Sequence, residues 1–281
     1  MHIPKAWAKA RTQLTTKDER QLALAVWGWG EDPFTARTQA ERRLERVIWR
    51  IRQGESFPFE YGYLSRPPRE EIVQTLAAAP DDAPYGMVTR NRYGALVLNT
   101  ARLLFLDVDI PRPDFMLQLR RFFVPSIPSP SEAVLAKLRA ALRQYGKATF
   151  RLYRTASGLR ALAVDREFEP AGEEAAALMK ATGTDPWFIR LCSVQKSFRA
   201  RLTPKPWRCG SGLPPGEYPH ADEASRKAYA DWLQRYQSAG AKYATCRYLE
   251  TIGSASPRGD AAKLIALHDK HTRCSESLPL A

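Results

Sequence analysis

Residues 102–109 read RLLFLDVD, a nearly continuous apolar run that ends in two acidic positions. Such a run predicts a buried strand at the centre of a sheet, because a strand covered on both faces has no polar side to alternate with. Successive side chains of a strand point to opposite faces, so the carboxylates of Asp107 and Asp109 leave the same face. The motif therefore predicts a central strand that ends in a pair of acids.

The two acids also predict a metal site. Carboxylates held this close repel each other by about 1 kcal/mol even at the dielectric constant of water, and by more in a cleft. A divalent cation relieves that repulsion, and hard oxygen ligands suit Mg²⁺ or Mn²⁺. We expect Asp107 and Asp109 to be catalytic metal ligands, and we expect their joint replacement by Asn to leave stability unchanged or higher. The alternative is a strand end that carries two solvated acids.

The hydrophobic periodicity and the turn residues on either side of this strand indicate further helices and strands. In chain order they predict a strand and a helix (21–53), a short helix (67–78), a β-hairpin (85–97), a helix (131–146), a second hairpin (150–164), a helix (173–181), a strand region (187–202) and two helices (222–238 and 260–271). Hairpins are frequent and long parallel crossovers are absent. The pattern predicts an α+β fold with helices against a mixed or antiparallel sheet.

The domain division follows from a proline-rich stretch. Pro214, Pro215 and Pro219 indicate a linker. We therefore predict an α+β domain over residues 1–216, with its motifs between 85 and 208, and a helical C-terminal region over residues 217–281.

The charge of the chain is unevenly distributed. Its 43 Lys and Arg residues outnumber 30 Asp and Glu residues, for a net charge of +13. Residues 133–164 carry seven cations and residues 186–216 carry six, and neither segment contains an acid. These two segments account for the whole excess. They indicate a polyanionic partner, which is nucleic acid, nucleotide phosphates or both, and a generally basic protein is the alternative.

Several classes are disfavoured by the 281-residue sequence. No run of 18 apolar residues is present, so we expect no membrane span. The N-terminal residues lack the apolar segment of a secretory signal. The four cysteines contain no CxxC pair, which disfavours a zinc ribbon or a disulfide scaffold. We expect a cytoplasmic protein.

Three enzyme classes place a DxD motif after an apolar strand. The haloacid-dehalogenase-like phosphatases fit poorly, because Pro111 stands where they have Thr or Val. Nucleotide-sugar glycosyltransferases need no basic groove. The nucleotidyl-transferring palm is the third class. A DxD phosphatase or glycosyltransferase acting on a phosphorylated small molecule stays an alternative.

The sequence LLFLDVDIP, followed about 45 residues later by FRLYRTASGLRALAV, resembles the archaeo-eukaryotic primase superfamily. The resemblance covers roughly residues 85–208. It implies a palm related to the RNA-recognition, or ferredoxin-like, fold. It further implies a metal-dependent nucleotidyltransferase that acts on nucleic acid, DNA or RNA, and on nucleoside triphosphates. A nucleic-acid-binding module on the same fold, without catalysis, is the alternative.

This chain departs from the family after the Ser157 turn. The family has a His that contacts nucleotide phosphates, and Arg160 stands there instead. A guanidinium matches phosphate oxygens well, so Arg160 suits nucleotide binding, and it suits a binder that has lost catalysis equally well. The family's third acid corresponds to Asp185 in our preferred interpretation and to Asp165 in the other.

The second basic segment predicts further phosphate contacts. Alternation along a strand puts Arg199 and Arg201 on one face, and the sequence then turns rigid, basic and aromatic. An aromatic side chain in such a segment can stack on a base. The expected nucleotide-binding or phosphate-binding residues are Ser157, Arg160, Arg190, Arg199 and Arg201. The expected nucleic-acid-binding residues are Arg151, Arg154, Lys205, Trp207 and Arg208.

Overall fold

The computed structural model describes residues 1, 3–15, 19–55, 67–78, 82–112, 122–123 and 128–281. The strands are β1 (Ala6–Thr15), β2 (Gln21–Gly30), β3 (Glu71–Leu76), β4 (Gly86–Arg90), β5 (Leu96–Thr100), β6 (Phe105–Asp109), β7 (Phe150–Thr155), β8 (Gly158–Ala163), β9 (Phe198–Arg201) and β10 (Cys246–Ile252). The helices are α1 (Pro33–Arg52), α2 (Pro130–Tyr145), α3 (Glu173–Thr182), α4 (Pro186–Gln195), α5 (Glu223–Gly240) and α6 (Gly259–Thr272).

These strands form three sheets. One is the β1–β2 pair, the second has the order β10-β7-β8-β6, and the third has the order β3-β4-β5-β9. The ladders between the named strands are antiparallel. The predicted α+β class with antiparallel sheets is therefore confirmed. The hairpin predicted over residues 85–97 is also present, as β4 and β5.

The β6 sheet, with the order β10-β7-β8-β6, holds the largest part of the core. Its connection β6–α2–β7–β8 places β8 between β6 and β7. Phe105 and Leu106 of β6 are fully buried, as are Leu138 of α2 and Phe150 of β7. Burial on this scale fixes the position of β6 and, with it, the two acids at its end.

β6 is buried as predicted, but it lies at an edge of its sheet and not at the centre. β6 contacts β9, the edge strand of the β9 sheet (β3-β4-β5-β9). An edge strand can be nearly all apolar when a second sheet covers it. The apolar run therefore reports burial and not the position within the sheet.

Two segments differ from the sequence predictions. Residues 71–76, expected to be helical, form β3 and pair with β4. This stretch is rich in β-branched residues, which favour strands once a partner strand is present. Residues 186–195, expected to carry strand, form α4. The carboxylate of Asp185 caps that helix and Pro186 occupies its first turn, two features that favour a helix start.

The C-terminal region contributes a strand as well as helices. β10 pairs with β7 and completes the β6 sheet, although the sequence analysis assigned only helix to residues 217–281. α5 and α6 agree with the two predicted helices. In the part of the chain that the structure describes, no helix is both long and apolar enough to cross a membrane.

α1 lies against the β1–β2 pair at a point of close backbone approach. Asp32 caps α1 by accepting a hydrogen bond from the backbone N–H of Thr35 at 2.8 Å. A Cβ atom on Gly28 of β2 would lie 2.2 Å from the backbone nitrogen of Ala40 and 2.3 Å from the carbonyl oxygen of Ala36. Only glycine fits at this position.

We expect Gly28→Ala to destabilise the protein by about 1–3 kcal/mol or more, because α1 must move away from β2 to admit the methyl group. Urea denaturation followed by circular dichroism measures the change. Gly212→Ala is the matched control, since its Cβ would meet no described atom within 4 Å. A Gly28→Ala protein as stable as the control would contradict the close packing of α1.

Candidate functional site

Asp107 and Arg160 form an ion pair across adjacent strands. The two residues are register partners in β6 and β8. The Arg160 Nε donates to Asp107 Oδ1 at 2.9 Å, and Nη2 lies 3.4 Å from Oδ2. The side chain of Arg160 is 2% exposed and that of Asp107 is 39% exposed. Arg160 therefore supplies the positive charge that the sequence analysis assigned to a metal ion.

Arg160 has further partners on the same face of the sheet. Its Nη1 donates to the carbonyl oxygen of Arg201 at 3.0 Å and lies 3.3 Å from Nε2 of His268. Because a guanidinium only donates, Nε2 of His268 accepts and its Nδ1 carries the proton. Burial, and then the charge on Arg160, lower the pKa of His268. The imidazole is therefore a neutral, oriented support for Arg160.

The hydrogen-bond network continues through Asp269, which follows His268 on α6. Asp269 Oδ1 lies 2.9 Å from His268 Nδ1 and accepts from the Tyr153 hydroxyl at 2.8 Å. Asp269 Oδ2 accepts from Arg151 Nη2 at 2.7 Å. Burial would raise the pKa of Asp269, but hydrogen bonds from His268 and Tyr153 and the charge on Arg151 outweigh it and lower that pKa. Arg151 is thus committed to an internal acid.

Three cations lie together where β9 ends, and we call Arg201, Lys205 and Arg208 the cation cluster. Burial, and then the charge on Arg160, lower the pKa of Arg201 to about 10. Burial, and then the charges on Arg201 and Arg208, lower the pKa of Lys205. Within the described residues, Nε of Arg201 and Nη1 of Arg208 are buried and have no hydrogen-bond partner. All three side chains are partly exposed, so the cluster presents uncompensated positive charge at the surface.

The Ser157 turn lies beside this cluster. Arg208 Nη2 donates to the Ser157 hydroxyl oxygen at 3.2 Å. The structure therefore brings four of the predicted residues together, namely Ser157, Arg201, Lys205 and Arg208. Asp109 also lies close enough for its charge to raise the pKa of Lys205, against the effect of burial.

An aromatic pair borders the cation cluster. Trp207 is 49% exposed, and its ring meets that of Tyr93 edge to face with centroids 5.2 Å apart. Lys205 Nζ lies 5.4 Å from the centroid of the Trp207 ring. Sequence reasoning identified Trp207 and missed Tyr93. The tight turn between β4 and β5 that carries Tyr93 was visible, but nothing in the sequence pointed to its partner.

α5 holds the loop that presents the cluster. The Tyr236 hydroxyl donates to the carbonyl oxygen of Pro204 at 2.6 Å, and Trp232 Nε1 donates to the carbonyl oxygen of Gly212 at 3.0 Å. Both aromatic side chains are buried. These two anchors flank the basic loop, so its backbone is fixed before any ligand arrives.

Arg199 is not part of the cluster, although it shares a strand face with Arg201. Its Nη2 donates to both carboxylate oxygens of Glu70, at 2.6 and 2.7 Å. Its Nη1 donates to Gln195 Oε1 at 2.9 Å. Arg199 and Glu70 are both buried. The guanidinium is therefore fully engaged, and the sequence analysis missed Glu70 because 129 residues separate the two partners.

Four other predicted site residues have local partners or lie on the surface. Arg154 Nη1 donates to the Ser131 hydroxyl oxygen at 2.7 Å, and Arg190 is exposed on α4. Asp185 accepts from the backbone N–H of Trp187 as the cap of α4. Asp165 accepts from the backbone N–H of Thr149 at 2.7 Å. Asp165 also follows the end of β8 that lies away from Asp109, more than about 10 Å along the strand from Arg160.

The donors near β6 do not fit a two-metal centre. Both carboxylate oxygens of Asp107 face Arg160, which leaves Asp109 as the exposed acid of the pair. Across the described ranges, no group of three or more His, Cys, Asp or Glu side chains could hold a metal ion. At the expected Mg²⁺ or Mn²⁺ site, Arg160 therefore competes with a cation for the Asp107 carboxylate.

Comparison with protein-family models, with curated proteins and with solved structures finds no match to this chain. What the structure establishes is an α+β protein with antiparallel sheets. Function is therefore argued from the geometry of the site.

Proposed function

We propose that the protein is a nucleic-acid-binding module that contacts phosphate groups through the cation cluster and does not catalyse nucleotidyl transfer. The single observation that carries this proposal is the cation cluster itself, in which three partly exposed cations lie close together, and burial and then the neighbouring positive charges lower the pKa values of Arg201 and Lys205. Like charges held this close repel each other until a counter-charge binds. A phosphate group supplies both the acceptor and the opposite charge.

The surroundings of the cluster favour nucleic acid over an isolated phosphate. The net charge of +13 suits a polyanion, which releases counterions when several phosphates are neutralised. Trp207 and Tyr93 offer a half-exposed aromatic surface beside the cations, and bases stack on such surfaces. Phosphate recognition and base stacking are thus available side by side.

The buried ion pair supports binding without catalysis. Arg160 forms an ion pair with Asp107, and its side chain is almost completely buried. The carbonyl oxygen of Arg201 and the imidazole of His268 also hold the guanidinium in place. A guanidinium stays protonated, so it cannot act as a general base. In this arrangement Arg160 neutralises an acid that metal-dependent nucleotidyl transfer would need as a ligand.

A metal-dependent nucleotidyltransferase acting on nucleoside triphosphates is the second candidate. The position of DxD at the end of β6, followed by the β7–β8 hairpin in the same sheet, supports it, because the resemblance to the primase superfamily rests on these two segments. The two candidates differ in whether Asp107 takes a metal. If the protein only binds nucleic acid, Arg160→Met should bind Mn²⁺ more tightly than the wild type does, as measured by calorimetric titration. The wild type should also incorporate no nucleotide when it is given Mn²⁺ and a primed template.

The dependence of binding on salt tests the proposed function. Each phosphate contact on single-stranded nucleic acid releases about 0.7 counterions, and we expect three contacts. A plot of log affinity against log salt concentration should therefore have a slope of about −2. Fluorescence anisotropy with a labelled oligonucleotide across a salt series measures this slope. No binding at the lowest salt concentration, or a slope near zero, would contradict phosphate recognition by the cluster.

A further inference from the structure

A cavity lies at the opposite edge of the β6 sheet, away from the cation cluster. Its volume is about 560 Å³, and it is bordered by β7, β10, the last turn of α6 and the segment that follows α6. Small-molecule sites commonly enclose about 300–1,000 Å³. The side chains that matter here are those of Arg151, Arg247, Lys270, Tyr248, Ser275 and Ser277.

The acids of this cavity are already neutralised. Asp269 accepts from Arg151 and Tyr153, with His268 at its other side. Glu276 pairs with Arg273 at 2.5 Å. Neither carboxylate therefore contributes a full negative charge to the cavity.

Two of the cations remain available. Arg247 donates through Nη2 to the carbonyl oxygen of Leu278 at 2.6 Å, and this contact leaves its charge uncompensated. Lys270 is exposed in the last turn of α6. Neither has an acid partner among the ion pairs of the described residues. The cavity therefore carries an excess of positive charge.

The other lining groups are also suited to an oxyanion. The Ser275 and Ser277 hydroxyls lie at the cavity and can donate to phosphate oxygens. Tyr248 forms part of the wall, and Arg151 lies over its ring, with the guanidinium carbon 4.6 Å from the centroid. That stacking holds the wall in place beside the two available cations.

We propose that this cavity binds a small phosphate-bearing molecule, with Arg247 and Lys270 as its charged contacts and Ser275 and Ser277 as hydroxyl donors. The site is separate from the cation cluster, which lies where β9 ends, beside the β6 edge of the sheet and away from β10. A small ligand suits it better than nucleic acid, because the cavity is of single-ligand size and only two cations are uncommitted.

The test is calorimetric titration with pyrophosphate and with ADP. It uses the Arg201→Ala/Arg208→Ala protein, in which the two guanidinium groups of the cation cluster no longer compete for phosphate. Adding Arg247→Ala and Lys270→Ala is expected to weaken pyrophosphate binding at least about tenfold, because two charge-assisted contacts are lost. Arg226→Ala with Lys227→Ala, on the exposed face of α5, removes the same charge elsewhere and should leave affinity within about twofold.

The two ligands separate the possible sources of the phosphate. Equal affinity for pyrophosphate and ADP supports a site for phosphate groups alone, and tighter ADP binding supports a nucleotide site. No heat with either ligand, or equal affinity in the Arg247→Ala/Lys270→Ala variant, would overturn the proposal. The variant that carries only Arg247→Ala and Lys270→Ala should bind an oligonucleotide as tightly as the wild type does. A negative result for this cavity therefore does not contradict the proposed nucleic-acid binding by the cation cluster.

Discussion

Replacing Arg201 and Arg208 together with Ala is expected to lower nucleic-acid affinity at low salt by at least about 100-fold. Each guanidinium is expected to make a charge-assisted hydrogen bond to phosphate, and two such bonds at roughly 1.5–3 kcal/mol each correspond to at least that factor. Fluorescence anisotropy with a labelled single strand measures the loss. The salt slope should fall as well, by about 1.4, because two phosphate contacts disappear.

The fold should survive this double substitution. The two side chains repel each other, and each has a buried nitrogen without a partner in the described part of the chain. Their removal therefore relieves both the charge repulsion and the cost of an unpaired donor. Arg226→Ala with Lys227→Ala is the control, because both side chains are exposed and the loss of charge is identical. If the control lost as much affinity as the cluster variant, binding would reflect net charge and not the cluster.

Asp107→Ala is expected to cost about 3 kcal/mol of the free energy of unfolding. Removing one partner of a buried ion pair costs about 3–5 kcal/mol, and the lower end applies because the Asp107 carboxylate is 39% exposed and water can reach it. The loss leaves Arg160 buried without its counter-charge. Urea denaturation gives the value, and Asp109→Ala serves as a control expected to change stability by less than about 0.5 kcal/mol.

This expectation reverses the one drawn from the sequence, in which removing two adjacent acids relieves their repulsion. The ion pair makes Asp107 a stabilising residue, so the joint Asn substitution should also destabilise. Replacing both partners with apolar residues, as in Asp107→Leu with Arg160→Met, should recover most of the loss. An Asp107→Ala protein as stable as Asp109→Ala would show that the pair contributes nothing.

The sequence by itself determined the elements whose signals are local. The helix after Asp32-Pro33 begins where a capping carboxylate and a first-turn proline predict. The hairpin of β7 and β8 turns between Thr155 and Gly158, within the segment 150–164 that the sequence predicts as a hairpin. These features depend on neighbouring residues and on short-range sterics, which a single sequence displays directly.

Long-range packing decided the outcome where local preference was ambiguous. Residues 71–76 became β3 because β4 supplied a partner strand. The apolar β6 lies at an edge of its sheet and is in contact with β9 of the other sheet. β10 joined the β6 sheet from a region that the sequence presented as helical. The free energy that selects each of these states comes from contacts between elements distant in sequence.

The charged residues of the candidate site show most clearly what the sequence determines and what tertiary structure decides. The sequence determined that thirteen cations lie in two segments without acids, and on that basis every arginine there looked available. Only the tertiary structure decided which were used: Arg199 meets Glu70, Arg160 meets Asp107, and Arg201 keeps a buried nitrogen without a partner among the described residues. The physical reason is range, because a hydrogen bond or a buried ion pair requires atoms about 3 Å apart. The chain brings such atoms together from positions more than a hundred residues apart, and composition cannot record which ones meet.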